Sequence, residues 1–388
     1  MLSSSSQVLL RNKEHFDNGK WAFINPTEAF IFEQINNDNI VGLHQMYNDY
    51  ESCLQQTKNK QVFAASFSLA DIDDTGTSRL DGVVIYLPKA KQQLVMLIEN
   101  AAALVKENGS ILIIGENKAG VKSVSKLLEK FGQHVNKIDS AKHCGLYALT
   151  LEKPLPDFNV DKYSEIRSYN IHDTSIKVFS LPGVFGHKQL DPGTDLLLSE
   201  LSPTWLLKEA ALKRSSHVYD FACGTGLIGV YVAKVMAVYF AAKFPKNSHT
   251  IETPDDESEN IGNVLKISMS DVSALAIYCS QKTAQLNNID TSFATLDIVP
   301  KDGMLKPVKS YNLIVSNPPF HAGIQNDYSI TQNFIKASFS LCKPYAKMVL
   351  VANRFLPYPD ALQQVYGKFQ ELNATPKYRV YQVEKSKK

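Results

Sequence analysis

The chain has 388 residues, which suggests two domains at the usual size of about 100–200 residues each. Apolar residues make up 44% and charged residues 21%, an ordinary globular composition that excludes a disordered or fibrous chain. The 41 basic side chains nearly balance the 39 acidic ones, so the net charge of +2 excludes a strongly basic coat for nucleic acid but leaves a local patch possible.

The sequence indicates neither secretion, nor membrane insertion, nor metal binding. The first residues lack the basic and long apolar regions of a secretion signal, and no apolar run approaches the roughly 20 residues of a membrane span. The five cysteines are odd in number, far apart and without a C-x-x-C pair, which argues against a disulfide framework or a zinc site. We therefore expect a cytoplasmic protein without a metal.

Strand-like and helix-like segments alternate along the first half of the chain. Residues 61–69, 82–87 and 111–114 have the apolar pattern of strands, and residues 92–106 and 120–131 that of helices. The second half repeats this order, with strands at 311–315 and 348–351 and helices at 330–341 and 360–369. This alternation predicts an α/β protein with a mostly parallel sheet.

Local likeness between the halves favours an internal duplication. DGVVIYLPKA (81–90) resembles YNLIVSNPPF (311–320), and LLEKFGQ (127–133) resembles QVYGKFQ (364–370). We predict a domain at 1–160 and a second at 161–388, with a linker around 152–175. The first copy has no glycine-rich turn between strand and helix, and Tyr86-Leu87-Pro88-Lys89 stands where the second has Ser-Asn-Pro-Pro, so only the second copy carries the residues for chemistry.

The first copy does contain a candidate basic surface. Four lysines recur every four residues, which places them near one stripe of the predicted helix: Lys118, Lys122, Lys126 and Lys130. This stripe is either the best local candidate for contact with RNA phosphates or an ordinary solvated helix face.

The segment LDPGTDLLL (190–198) opens a helix ahead of the main motifs of the second copy. The local pattern makes Asp191 the candidate N-cap of that helix.

A glycine-containing turn follows the strand that ends at Asp220. The stretch DFACGTGLIG (220–229) leads into a predicted helix at 227–238, and its glycines allow a ligand to approach the backbone at a helix N-terminus. We expect the cofactor to contact Asp220, Ala222, Cys223, Gly224 and Gly226. Because Gly229 completes a G-x-G-x-x-G spacing, a nicotinamide dinucleotide is the competing ligand.

Two further acids follow predicted strands. Asp271, with Val272, comes between the strand at 267–270 and the helix at 274–287, where a carboxylate commonly accepts the hydroxyls of a ribose. An N-cap role for Asp271 or Ser273 is the alternative. Asp297 comes after the strand-like residues 293–296, and we expect it to face an adenine amino group.

The sharpest motif is Ser316-Asn317-Pro318-Pro319-Phe320, directly after the strand at 313–315. Two prolines force the chain out of the sheet at the carboxyl end of the strand, where open α/β sheets bind ligands. The side-chain carbonyl of Asn317, the backbone carbonyl of Pro318 and the ring of Phe320 together suit a planar group with an exocyclic amino group. This motif has no role in hydride transfer and decides against the nicotinamide reading. We predict a catalytic set of Asn317, Pro318, Pro319 and Phe320.

Together these motifs resemble class I S-adenosylmethionine-dependent methyltransferases of the Asn-Pro-Pro-Phe type. More narrowly, the chain is similar to bacterial guanine-N2 methyltransferases of small-subunit ribosomal RNA with two tandem methyltransferase-like domains. The similarity covers nearly the whole chain, and its diagnostic stretches are SQVLLR (6–11), GENKAGV (115–121), KIDSAKHCGLY (137–147), LPGVF (181–185) and VANRFLPYPD (351–360).

The resemblance implies two tandem Rossmann-like domains with mostly parallel sheets of seven-stranded type, the N-terminal one degenerate and helping to fold or present RNA. It implies S-adenosyl-L-methionine as the cofactor, bound at Asp220, Gly224, Asp271 and Asp297, and guanine 1207 of 16S RNA as the target. For Asp191 it implies contact with the cofactor, as the alternative to the N-cap role. We expect ribosomal RNA or the small subunit as the partner, no membrane, and a monomer.

The chain departs from this family pattern in three places. Ala222 stands where the family has a glycine, and the match is thin over 152–175. About 25 additional residues separate Gly226 from Asp271, including an acidic run at 252–259 that we expect to be a solvated loop. Glu252 and Asp255 are the competing candidates for the ribose, but neither residue both ends a strand and opens a helix, so Asp271 is preferred.

Other functions remain open from the sequence. An Asn-Pro-Pro methyltransferase acting on another RNA, on adenine or on protein glutamine is one alternative, although the tandem architecture and Phe320 in place of tyrosine count against it. A noncatalytic RNA-binding or ribosome assembly module is the other, and binding of S-adenosylmethionine would discriminate between them.

Overall fold

The computed structural model describes residues 2–73, 75–132, 134–244, 264–306, 310–319 and 326–387, with the backbone alone described for 326–330. The chain divides into two compact units. The first comprises Met1–Ser164 with the short stretches Leu181–Gly183 and Ser273–Leu275, and the second comprises the remaining residues.

The first unit is an α/β domain. Its strands are β1 (Trp21–Ile24), β2 (Ile40–His44), β3 (Gln61–Phe63), β4 (Leu80–Tyr86), β5 (Val105–Glu116), β6 (Asn136–Ala141) and β7 (Cys144–Thr150). Its helices are α1 (Ser4–Leu10), α2 (Phe30–Ile35), α3 (Tyr47–Gln56), α4 (Leu69–Ile72), α5 (Lys91–Leu104) and α6 (Val124–Leu128). The strands form one sheet in the order β3-β2-β1-β4-β5-β7-β6. Neighbouring strands from β3 to β5 are parallel, whereas β7 pairs antiparallel with both β5 and β6.

The second unit begins with an antiparallel hairpin and then repeats this plan. Its strands are β8 (Glu165–Ile171) and β9 (Thr174–Ser180) in the hairpin, then β10 (His217–Phe221), β11 (Leu265–Asp271), β12 (Ala294–Pro300), β13 (Tyr311–Ser316), β14 (Cys342–Asn353), β15 (Gln370–Ala374) and β16 (Tyr378–Glu384). Its helices are α7 (Pro192–Glu200), α8 (Leu227–Lys243), α9 (Ala274–Asn287), α10 (Asn326–Leu341) and α11 (Tyr358–Tyr366). The large sheet has the order β12-β11-β10-β13-β14-β16-β15.

The two sheets therefore share one strand order, as a duplicated plan requires, and the predicted α/β class with mostly parallel sheets is confirmed. The register also equates the two key turns. Ile24 pairs with Ile85 at the end of β1, and Phe221 pairs with Ser316 at the end of β10, so Tyr86-Leu87-Pro88 at the end of β4 lies where Asn317-Pro318-Pro319 follows β13.

The large sheet of the second unit is buried on both faces, which explains why its central strands are continuous apolar runs. Val218 and Leu313 belong to one apolar cluster, and their neighbours Tyr219 and Ile314 belong to the cluster on the other face. Because both faces are occupied by packing, a ligand has access at the carboxyl edge of the parallel strands, where the loops emerge.

Three predicted elements differ in the structure. The strand predicted at 61–69 is the three-residue β3, and α4 begins at Leu69. The segment predicted as a linker contains β8, and the hairpin turn at His172-Asp173 places both residues at positive φ (44° and 63°). The helix predicted at 120–131 is a pair of 3₁₀ turns, Asn117–Ala119 and Val121–Ser123, followed by the short α6. Gly120 lies between the two turns with φ 92°, outside the helical region, and this interrupts the helix.

Within the described ranges, no helix is long and apolar enough to cross a membrane. The acidic run at 252–259, including Glu252 and Asp255, lies outside the described residues.

Candidate active site

The turn after β10 holds three left-handed residues within five positions. Ala222, Gly224 and Gly226 have φ of 57°, 56° and 81°, and α8 begins directly after Gly226. A side chain at Gly226 would place its Cβ 3.0 Å from the Cα of Ser280, whereas a Cβ at Gly224 would meet nothing within 4 Å. Gly226 therefore permits the turn to pack on α9, and Gly224 leaves open space beside the backbone at a helix N-terminus. Ala222 adopts the conformation for which the family pattern has a glycine.

Polar contacts from β11 and α9 fasten this turn. The backbone N–H of Cys223 donates to the Ser270 carbonyl at 3.0 Å, and that of Gly224 donates to Oδ2 of Asp271 at 3.0 Å. The hydroxyl of Ser280 donates to the Gly224 carbonyl at 3.0 Å. One carboxylate oxygen of Asp271 therefore holds the backbone of the turn in place. Its contact with a ribose, and that of the adjoining Val272, stay predictions.

Asp220 is a fully buried carboxylate near the end of β10. Its Oδ2 accepts from the backbone N–H of Gly229 at 2.9 Å, and its Oδ1 has no partner within the described part of the chain. Burial raises the pKa of Asp220, the Gly229 hydrogen bond lowers it and the charge of Asp271 raises it, and together they place the pKa at about 7. Oδ1 of Asp220 is thus a buried acceptor without a donor among the described residues, and Gly224 leaves open space beside the turn. Together these two features fit a ligand that brings a cationic or hydrogen-bonding group, as S-adenosylmethionine does.

Asn317 lies directly after β13 and is held by two acceptors at the start of α7. Its amide Nδ2 donates to Oδ2 of Asp191 at 3.0 Å and to Oγ1 of Thr194 at 2.8 Å. Because an amide NH₂ carries only two hydrogens, these contacts fix the amide orientation. Oδ1 is then the atom of Asn317 that can accept from the amino group of a substrate.

The N-cap alternative for Asp191 is confirmed. Its Oδ2 accepts from the backbone N–H of Thr194 at 2.9 Å, in the first turn of α7. The same oxygen orients Asn317, so a single carboxylate joins the start of a helix to the Asn-Pro-Pro turn. Contact of Asp191 with a cofactor stays a prediction. Thr194 was missed by the sequence reasoning, although its position three residues after the capping Asp191 is a recognisable signal.

The rest of the Asn-Pro-Pro turn is anchored to the cofactor side of the sheet. The buried hydroxyl of Ser316 donates to the Phe221 carbonyl at 2.7 Å, which ties the end of β13 to the end of β10. Pro318 is buried and Pro319 exposed. Phe320 lies outside the described residues, so its stacking role stays a prediction.

The predicted position of Asp297 at the end of a strand is wrong. Asp297 is the fourth residue of β12 and pairs with Ser268, whereas Asp271 pairs with Pro300 three residues further along. The strand is longer than predicted because β12 pairs with β11 over its full length. The exposed acid that follows β12 is Asp302. The adenine contact of Asp297 stays a prediction.

At the equivalent edge of its sheet, the first unit has amide side chains in place of the glycine turn and the carboxylates of the second unit. Gln45 directly follows His44, which the register places in the position that Asp271 has in the second unit. Its backbone N–H donates to Oδ1 of Asn25 at 2.7 Å, and its Oε1 accepts from Asn25 at 3.3 Å and from Gln93 at 2.9 Å. These side chains satisfy one another at the edge where the second unit has its glycine turn.

The four lysines of the first unit do not form a single helical stripe. All four are exposed, but Lys118 precedes Gly120 in a separate 3₁₀ turn, and only Lys126 lies within α6. The Nζ of Lys118 lies 2.9 Å from a carboxylate oxygen of Glu116. The predicted single-helix geometry is therefore wrong, and contact of these lysines with RNA stays a prediction.

The strand order, the glycine turn and the Asn-Pro-Pro turn at one edge of the sheet define a class I methyltransferase domain. Within the described residues no group of three or more His, Cys, Asp or Glu side chains is placed to hold a metal. The family model described as "Methyltransferase small domain" matches residues 175–252 and 258–382, and "Methyltransferase small domain N-terminal" matches residues 6–167.

The chain belongs to the ribosomal RNA small subunit methyltransferase C family. It is 37% identical to the protein of that name from Pseudoalteromonas atlantica, covering 98% of this chain and 99% of that protein. It is 35% identical to the one from Alteromonas mediterranea, with the same coverage of 98% and 99%. Among solved structures, the Thermus thermophilus 16S rRNA N2 guanine-1207 methyltransferase in complex with AdoMet and guanosine matches with a TM-score of 0.76 at 18% identity, covering 99% of this chain and 92% of that one.

Proposed function

We propose that this protein transfers a methyl group from S-adenosylmethionine to the exocyclic N2 of a guanine in 16S ribosomal RNA, guanine 1207 being the expected position. The observation that carries the proposal is the orientation of Asn317 beside the glycine turn. Family membership supports it, since the full-length relatives bear the name of a small-subunit rRNA methyltransferase. The solved Thermus thermophilus structure of similar fold is a complex with both AdoMet and guanosine.

The second unit supplies the cofactor side of the site. The Gly224 turn and the N-terminus of α8 receive the cofactor, and the carboxylates of Asp220 and Asp271 complement its ammonium and ribose groups. The cofactor supplies an electrophilic methyl group on a sulfonium. These residues bind and orient it and take no part in bond making.

Orientation and hydrogen bonding account for the protein's part in the reaction. Guanine N2 is a poor nucleophile because its lone pair is delocalised into the ring. The carbonyls of Asn317 and Pro318 accept its two N–H groups, which favours a pyramidal nitrogen with its lone pair directed at the methyl group. A strong base is unnecessary because the proton becomes acidic as the methyl group transfers. Effective molarity contributes about 7–11 kcal/mol in such well-oriented reactions.

The two units have separate tasks in this proposal. Residues 161–388 form the catalytic domain, and residues 1–160 form a degenerate domain that presents RNA. The amide cluster of Asn25, Gln45 and Gln93 supports this division, because it occupies the first unit's edge with internal hydrogen bonds. The target guanine must leave its base stack to reach Asn317, so we expect a single-stranded or already opened segment.

The test is transfer of labelled methyl groups to 16S rRNA and to small subunits that lack N2-methylguanine, followed by nucleoside mass spectrometry. The wild-type protein should produce N2-methylguanine. Asn317→Ala should abolish turnover while S-adenosylmethionine affinity stays within about twofold, because Asn317 contacts the substrate side only. Methylation of adenine or protein instead, or full activity of Asn317→Ala, would contradict the proposal.

A further inference from the structure

An exposed aromatic residue with cations beside it lies next to the Asn-Pro-Pro turn. β14 is the parallel neighbour of β13, and Leu350 pairs with Ser316 at the end of β13. The residues that follow β14, Arg354 and Phe355, therefore leave the sheet at the same edge as the Asn317 turn.

Core packing does not explain Phe355. Its side chain is 75% exposed, the largest exposed fraction among the large apolar residues of the described chain. Arg354 is exposed as well, and its backbone N–H donates to the carbonyl of Lys377, a third exposed residue, at 2.8 Å. We call these three residues the Arg354–Phe355–Lys377 surface.

The backbone under this surface is fixed. The N–H of Leu356 donates to the Asn353 carbonyl at 3.1 Å, and the side chains of Leu356 and Tyr358 are buried. An aromatic side chain held out from an anchored segment loses little conformational entropy when a partner packs on it. This is the property expected of a binding residue.

Sheet order places this surface on the substrate side of Asn317. β13 lies between β10, which leads into the cofactor turn, and β14, which leads into Arg354. The cofactor turn thus occupies one side of Asn317, and the Arg354–Phe355–Lys377 surface occupies the other. A guanine that reaches Asn317 with its sugar and phosphates attached must leave the adjoining nucleotides on the side away from the cofactor.

We propose that the Arg354–Phe355–Lys377 surface binds a nucleotide adjoining the target guanine. The ring of Phe355 stacks on its base, and Arg354 and Lys377 contact the flanking phosphates. Aromatic platforms beside cations are how proteins hold single-stranded nucleic acid, and this combination favours RNA over a protein partner. The inference rests on the proposed function, and it assigns the second unit its own contact with RNA.

The test measures RNA affinity separately from turnover. A labelled, unmethylated 16S rRNA fragment containing the target guanine is titrated with the full-length protein at several salt concentrations, and methyl transfer to the same fragment is measured in parallel. Phe355→Ala should weaken binding roughly 5- to 150-fold, the range for losing one base–aromatic stack, and Phe355→Tyr should restore it. The double variant Arg354→Gln/Lys377→Gln should lower the slope of log K against log salt by about 1.4, at about 0.7 per single-strand phosphate contact.

Two variants serve as matched controls. Tyr345 is 60% exposed near the opposite, amino-terminal end of β14, and Lys213 is an exposed cation ahead of β10. Tyr345→Ala and Lys213→Gln should leave RNA affinity and its salt slope unchanged. Thermal unfolding verifies that each variant is folded, and S-adenosylmethionine affinity should match that of the wild type.

Wild-type RNA affinity in a folded Phe355→Ala variant would overturn the inference and leave the proposed function standing. The inference would also be overturned if Phe355→Ala bound naked RNA normally and lost affinity only for assembled subunits. The surface would then contact a ribosomal protein. A wild-type protein that binds the fragment but transfers no methyl group would contradict the proposed function, while the affinity ratios would still decide the inference.

Discussion

Thr194→Val is the perturbation that isolates the orientation of Asn317. Valine keeps the β-branched shape of threonine and removes only the hydroxyl that accepts from Asn317 Nδ2 at 2.8 Å. Asp191 continues to accept from the same amide at 3.0 Å and to cap α7 through the Thr194 backbone N–H. The variant therefore loses one of the two hydrogen bonds that fix the Asn317 amide and keeps the helix start.

The loss of this hydrogen bond sets the magnitude. A neutral hydrogen bond contributes about 0.5–1.5 kcal/mol net, and we expect this to appear in the transition state, where the orientation of Oδ1 matters. A loss of 1 kcal/mol corresponds to roughly a fivefold fall in kcat. S-adenosylmethionine affinity and the KM for RNA should change by less than about twofold, because the role assigned to Thr194 is to position Asn317.

The assay is single-turnover methyl transfer with saturating RNA, combined with calorimetric titration of S-adenosylmethionine. Thr194→Ser keeps the hydroxyl and serves as the control, which should retain most of the rate. Asp191→Asn, which still caps α7, completes a double-mutant cycle with Thr194→Val and should show coupling because both residues bind one amide. An unchanged kcat in Thr194→Val, or an equal defect in Thr194→Ser, would refute the positioning role.

Three further predictions concern the cofactor turn and the lysines. Gly224→Ala should weaken S-adenosylmethionine binding because its Cβ would enter the open space beside the turn. Both glycines have a positive φ, but Gly226→Ala should lower the melting temperature more than Gly224→Ala because only its Cβ would meet Ser280, at 3.0 Å. Asp220 has a raised pKa in the folded state, so the fold should lose up to about 4 kcal/mol as pH rises from roughly 4 to 7, and urea unfolding at pH 5 and pH 8 should show about 3 kcal/mol of this loss in the wild type but not in Asp220→Asn. Replacing Lys118, Lys122, Lys126 and Lys130 by glutamine should reduce the salt dependence of RNA binding. An unchanged slope of log K against log salt would show that these lysines do not contact RNA phosphates.

Elements with strong local signals were predictable from the sequence. The helix at 274–287 is α9 residue for residue, and α8 begins at Leu227 as predicted, because Gly226 supplies a positive φ at its N-cap. The turn after β13 was predictable because two consecutive prolines cannot continue a strand. These features depend on residues close together in the chain.

The errors arose where tertiary pairing or unusual turns decide the structure. β8 and β9 turn through His172-Asp173 with positive φ and without a glycine, so the hairpin resembled a linker. Asp297 was misplaced because the length of β12 is set by its pairing with β11. The contact of Asn317 with Asp191 and Thr194 spans more than 120 residues, and local spacing carries no signal for it.

Mapping of N2-methylguanine in 16S rRNA by mass spectrometry tests the central claim most directly. The measurement compares the wild-type strain, a strain lacking this protein, and that strain complemented with either the wild-type gene or Asn317→Ala. The modification at one guanine, expected at position 1207, should disappear without the protein, return with the wild type and stay absent with Asn317→Ala. Its persistence in the strain lacking the protein, or its return with Asn317→Ala, would contradict the assignment of methyl transfer to this site.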